Sequence, residues 1–165
     1  MFVFGHAGLT LAAARAADRE TDPRWAILLA LGPDLLDKPA SVLYPELVHH
    51  NTRGFGHTLF FSLFVLGALL IWKRRPKPAL VLWGCYAGHF LLDGMWFERN
   101  PAVLFWPLLG DFPPLPARGP IFSWMTLWIV LGEIAGLIIL YKLARRHGLF
   151  KRPRLAAFLK TGRLA

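Results

Sequence analysis

A single cysteine, Cys85, stands among 165 residues, which excludes a disulfide framework and every zinc or iron–sulfur site built on several thiolates. Charge is scarce too. Asp, Glu, Lys and Arg make up 18% of the chain, against roughly 25% in an ordinary soluble domain, and only 10 of them are acidic. No G-x-S-x-G elbow occurs, and Ser41, Ser62 and Ser123 have no His–Asp setting, so a serine hydrolase finds no support. None of the apolar stretches alternates with polar residues, which removes half-buried strands. Internal repeats and low-complexity linkers are absent, and an aromatic content of 14% excludes intrinsic disorder.

What fills the chain is hydrocarbon: 55% of residues are hydrophobic, with a mean hydropathy of +0.43. They come in blocks. Phe2–Ala17, Phe55–Trp72, Ala79–Phe97 and Ile121–Leu143 are long, and Trp25–Leu36 is short. A helix crosses a bilayer with about 20 apolar residues, within a range of about 17–25. The expectation is an all-α integral membrane bundle of about five helices, the first two short spans or re-entrant pieces. Residues 1–143 form the membrane-embedded domain and 144–165 a basic tail. Residues 98–120, with six prolines, read as a stiff outer loop rather than a helix.

Basic residues set the orientation, because Lys and Arg collect on the cytoplasmic side. Arg15, Arg19 and Arg24 surround the first turn; Lys73, Arg74, Arg75 and Lys77 follow the third block. Lys142, Arg145, Arg146, Lys151, Arg152, Arg154, Lys160 and Arg163 follow the fifth. If every block crosses, fifteen of the 19 basic residues share one face, with the N-terminus outside and the C-terminus cytoplasmic. The first block lacks a basic leader and carries His6 and Arg15, so it reads as a retained helix, not a signal peptide. The tail suits anionic lipid or a cytoplasmic protein partner; nucleic acid is not expected.

Ionisable groups inside membrane segments are costly, about 2.5–3.5 kcal/mol for a central Asp on insertion scales, and so mark function. Here they gather at the outer helix ends: His6 in the first block, Asp34 and Asp37 in LGPDLLDKP, His50 and His57 in HHNTRGFGHTL, His89 and Asp93 in GHFLLDG. His89 and Asp93 are four apart and share a helical face, as do Asp34 and Asp37, three apart. Pro33 should bend or restart its helix, and Gly54 and Gly56 let the backbone turn before His57. Mid-span Glu133 needs a buried donor or a proton. This set exceeds the three protein ligands of one catalytic zinc. It fits two divalent ions, or one ion with carboxylates orienting the imidazoles, and zinc, manganese and ferrous iron all accept it. The chemistry implied is hydrolysis by a metal-activated water. His57, His89 and Asp93 are the expected ligands of the catalytic ion. His6, Asp34 and Asp37 would complete its shell or a second position, with His50 within reach. Asp34 or Asp37 could instead serve as general base, and Arg53 would hold the scissile phosphate or carboxylate in a two-pronged contact.

The segments LGPDLLD (Leu31 to Asp37), RGFGHTL (Arg53 to Leu59) and GHFLLD (Gly88 to Asp93), after an early apolar helix with His6, resemble the YdjM-like family of bacterial inner-membrane metal-dependent hydrolases, also described as LexA-binding membrane proteins. The resemblance covers roughly residues 1–110. It implies a multi-pass inner-membrane protein with His6, Asp34, Asp37, His57, His89 and Asp93 at a metal site. Two positions depart from the pattern: Thr52 replaces the His that often precedes the Arg–Gly pair, and Thr58 the Ser that commonly follows the second His. The expected function is hydrolysis of a lipid-linked or amphiphilic phosphoester. The alternative is a non-catalytic scaffold that uses metal or ion pairs to hold its helices and binds a partner through the tail. The topology is testable directly: a fluorescent protein fused at the C-terminus should mature and alkaline phosphatase fused there should stay inactive, and the reverse pattern would invert the assignment.

Overall fold

The computed structural model describes residues 2–48, 51–97, 100–113 and 124–164. Within them the chain is all helix and turn, with no strand. Helix α1 is Val3–Ala17, α2 Pro23–Leu43, α3 Leu59–Lys73, α4 Pro76–Leu92, α5 Asn100–Leu104, α6 Trp124–Arg146 and α7 Arg152–Thr161, with 3-10 turns at Pro45–Val48 and Phe55–His57.

Three of these differ from expectation. The second block was read as the shortest, yet α2 has 21 residues. Asp22 caps its start by accepting from the Arg24 amide, with Pro23 in the first turn, where a missing N–H breaks no bond. At its far end Asp34, Asp37 and Lys38 end the apolar run but not the helix, which passes through both Pro33 and Pro39 without restarting. The proline-rich loop is also not wholly irregular. Residues 100–104 form α5, because Pro101 again falls in a first turn while Val103 and Leu104 are fully buried. Prolines 114, 116 and 120 lie outside the described residues. Finally, only α6 contains a stretch, Thr126–Arg146, long and apolar enough to cross a membrane among the described residues; α3 is apolar but has 15 residues, about 22 Å.

The bundle is organised by α1, which packs on α2, α4 and most extensively on α6. Glycine makes the α1–α6 contact possible. A Cβ on Gly8 would lie 2.3 Å from the Gly136 carbonyl oxygen, and one on Gly136 would lie 2.0 Å from that of Phe4. No other residue fits there. One turn earlier on α6, the Glu133 carboxylate accepts from the amides of Phe4 and Gly5 at 3.0 and 2.9 Å. It therefore satisfies two of the first-turn donors that α1 leaves open and places an anion at the positive end of that helix. The donor that a mid-span acid requires is this backbone.

Both helices run the same way, since Leu140 and Leu143 pack lower down against the cluster of Leu11 and Ala14. Glu133 lies nine residues into α6, about 14 Å along it, so the start of α1 is recessed to that depth. At the opposite end the basic segments meet: Trp25 and Trp72 are edge to face at 4.8 Å, and the Arg24 guanidinium donates to the Leu159 carbonyl of α7 at 2.6 Å.

Replacing Glu133 with Ala should destabilise the protein by about 1.5–3 kcal/mol, the usual net worth of a hydrogen bond to a charged group, and Glu133→Gln should cost less because an acceptor remains. Thermal unfolding in detergent, read for both variants, checks this ordering.

Candidate metal centre

Six of the expected residues lie in one region at the recessed end of the bundle, each delivered by a different local device. His57 comes from the short turn before α3. The carboxylate of Asp37 organises that turn, accepting from the amides of Gly54 (2.8 Å), Gly56 (2.8 Å) and His57 (3.0 Å). The backbone must come close to do this: a Cβ on Gly56 would sit 3.0 Å from the Pro33 carbonyl oxygen and 3.2 Å from the Asp37 carboxyl carbon. Tyr86 secures the turn from the other side, its hydroxyl donating to the Gly56 carbonyl at 2.6 Å. Thr58 then starts α3, accepting from the Phe61 amide and donating to the Phe55 carbonyl.

The fourth partner of Asp37 is the His57 ring itself, Nδ1 to Oδ2 at 2.7 Å. A carboxylate can only accept, so Nδ1 carries a proton, and Nε2 is left on the side of the ring that faces His89, with a bare lone pair whenever the ring is neutral. His89, on α4, is fixed the same way by a different group, its Nδ1 donating to the Ala30 carbonyl of α2 at 2.7 Å. The same holds for its Nε2. The two Nε2 atoms face each other at 3.1 Å, with both side chains fully buried.

Two lone pairs at that distance repel unless a proton or a metal ion lies between them. Donors bonded to one ion at about 2.0–2.1 Å stand roughly 3.3 Å apart at the tetrahedral angle, so the spacing suits co-ligands as well as it suits a shared proton. Carboxylate oxygens flank the pair. Asp34 Oδ1 is 3.8 and 3.9 Å from the His57 and His89 nitrogens, and Asp93 Oδ2 is 3.9 and 3.8 Å from the same two. His6, stacked on His89 with ring centroids 3.8 Å apart, places Nε2 3.0 Å from Asp93 Oδ1. Two triads are thus close enough to hold an ion, Asp34–His57–His89 and His6–His89–Asp93, sharing His89. The donor set fits a divalent cation, and the outward ring nitrogens of His57 and His89 already make the carboxylate and carbonyl contacts typical of metal-bound imidazoles.

The remaining expected residues are placed differently. Asp37 touches the cluster only through His57; its oxygens are occupied by the four donors above. Arg53 directs its fork at Asp93 Oδ2, from Nε at 3.4 Å and Nη2 at 3.2 Å, while Nη1 donates to Asn100 Oδ1 at 3.1 Å. His50 lies outside the described residues.

Other contributors were not singled out from the sequence. Lys38 donates to Asp34 Oδ2 at 2.7 Å; its position four after Asp34 was a readable signal. Asn100 and the Ala30 carbonyl carried none, since a side chain from a proline-rich loop and a backbone oxygen have no pattern to read. Asp34 and Arg53 are partly exposed, 13% and 29% by side chain, while Lys38 is 53% exposed. Solvent therefore reaches the cluster on a side edged by two cations.

A metal assay separates ligand from support. His89→Ala and Asp93→Ala should lose most bound metal by elemental analysis, while Asp37→Asn should retain it with affinity lowered about 10–100-fold, as for other orienting partners. Unchanged metal content in all three would refute the assignment.

A family model described as YdjM inner membrane protein matches residues 1–160. The likeness read over about the first 110 residues therefore extends through α6 and into α7. No curated protein matches the chain, and no solved structure does.

Proposed function

The chain belongs to the YdjM inner membrane protein family, and from that premise we propose that it is a multi-pass inner-membrane metal-dependent hydrolase acting on an amphiphilic phosphoester. The observation that carries this reading is the pair of bare imidazole nitrogens 3.1 Å apart, each ring locked by its own acceptor and both flanked by carboxylates. Zinc is the first candidate for the ion, with manganese and iron as alternatives, and two ions are accommodated if both triads fill.

A divalent ion held by His57, His89 and the flanking carboxylates would supply Lewis acidity and lower the pKa of a water towards neutrality. The chain's own residues do the rest. Asp37 and the Ala30 carbonyl keep the His57 and His89 rings in one tautomer and one orientation. Asp34, at the partly open side, would either join His57 and His89 on the ion or take a proton from an incoming water. Lys38 and Arg53 edge the same side and favour an anionic group there, Arg53 while also balancing Asp93. Hydrolysis of a phosphoester matches this layout: negative charge arrives past two cations and meets a buried donor cluster.

The topology proposed is five crossings with the N-terminus outside. It is supported by the gathering of basic segments at one end of the bundle and of the donor cluster at the other, and by the parallel run of α1 and α6. The exposed basic face of α7 would then rest on anionic headgroups of the cytoplasmic leaflet or meet a cytoplasmic protein.

Purified protein stripped with a chelator and reloaded with zinc, manganese or iron should release phosphate or headgroup from phosphatidic acid or bis(p-nitrophenyl) phosphate only when reloaded. Lys38→Ala should raise KM severalfold and also lower kcat, because it removes both a cation at the open side and the partner of Asp34. Metal-loaded protein no faster than His89→Ala on either substrate would remove the hydrolase and leave the scaffold.

A further inference from the structure

Beside the centre, α1 and α4 meet at His6 and His89 but leave a groove on their outer side. Between them runs an open trough of about 640 Å³, almost wholly apolar. Small residues line it, Ala13 and Ala17 on α1 and Gly84 and Gly88 on α4, with Ala14 and Cys85 buried beneath. The glycines leave real space: a Cβ on Gly84 would meet nothing within 4 Å, and one on Gly88 only the Thr10 side chain, at 3.8 Å. From Leu80 to Leu92 the α4 wall is about 18 Å long. A groove of that length and apolar lining can take one hydrocarbon chain laid along it.

The end of the trough nearest the centre is marked by an unsatisfied group. Thr10 is 7% exposed, lines the trough, and its Oγ1 makes no hydrogen bond. A buried hydroxyl without a partner costs roughly 1–3 kcal/mol, and so points to something that supplies one. Thr10 lies one turn along α1 from His6, and the trough residues Gly88 and Leu92 immediately precede His89 and Asp93 on α4. The polar end of anything lying in the trough would thus be next to the donor cluster.

We propose that this trough seats one long acyl chain of the amphiphile on which the centre acts, with the Thr10 hydroxyl donating to an ester oxygen at the chain's polar end. The proposal rests on the hydrolytic reading of the centre and adds to it how the substrate is held: by its tail, along the lipid-facing side of α1 and α4. Discrimination would then follow from chain length as well as from headgroup, since a shorter tail leaves apolar wall uncovered at about 25 cal/mol per Å².

The probe is phosphatidic acid with a diazirine in mid-chain, carried in phosphatidylethanolamine–phosphatidylglycerol nanodiscs with the full-length protein. After irradiation, the label should concentrate severalfold on residues 9–17 and 80–92 over the exposed Phe60–Phe64 face of α3, which meets ordinary lipid. Gly84→Leu, which has room to fold, should cut trough labelling at least fivefold without lowering metal content. Thr10→Val should cut it with phosphatidic acid but not with a diazirine alkane. Even labelling of α3 and the trough, or labelling indifferent to Gly84→Leu, overturns the proposal, as does an unlabelled trough in protein that native mass spectrometry shows to be dimeric. Metal and label are read on the same preparations. Metal without trough enrichment overturns this proposal alone, and enrichment without metal overturns the hydrolytic reading and the substrate assignment with it.

Discussion

Two histidines that point their bare nitrogens at each other across 3.1 Å in a fully buried setting are the constraint from which the rest of this structure can be understood. Neither ring can turn away. The Asp37 carboxylate holds one and the Ala30 carbonyl holds the other, so the repulsion between lone pairs is relieved by a proton or a metal ion between them and not by a change of tautomer. A cation between them turns an unfavourable arrangement into a favourable one, and the carboxylates of Asp34 and Asp93 offer the negative charge that a divalent ion needs in a low-dielectric surrounding.

Much of the fold serves to hold that pair. Asp37 gathers three backbone amides so that the chain before α3 can place His57. The α2 helix has to stay helical past Pro33 for Ala30 and Asp37 to reach different histidines from the same side. On the far wall, α1 is brought to His89 by a glycine-to-glycine contact with α6 and by the Glu133 carboxylate over its first turn. The same contact sets His6 about 14 Å down α6. In the topology proposed, a centre at that depth would be met more readily by a molecule already in the membrane than by one free in water, and the open trough beside it then bears on substrate choice.

The helical class and the order of the apolar blocks were legible in the sequence because hydropathy reports burial in lipid or protein alike. The presence of several donors near helix ends was legible because ionisable residues stand out against hydrocarbon. Other features left no such trace. The extension of α2 to Leu43 was hidden, since the pattern turns polar at Asp34 while the backbone continues as a helix. The length of Asn100–Leu104 as a helix was masked by its prolines. Arg53 could be marked as important, but its target, Asp93, is 40 residues away and no spacing rule connects them. Glu133 announced that it needed a donor without saying that the donor was the start of α1. In each case the missing information is tertiary: which backbone oxygen, amide or carboxylate comes within 3 Å of a group whose type was already known.

The account stands or falls on what the His57 and His89 nitrogens bind. X-ray absorption at the edge of the metal that copurifies with the protein reads this directly. The expected spectrum has imidazole scattering from two histidines and further oxygen ligands at about 2.0–2.2 Å, with no sulfur. A sulfur ligand, a spectrum without imidazole, or protein that carries no metal above background would contradict it.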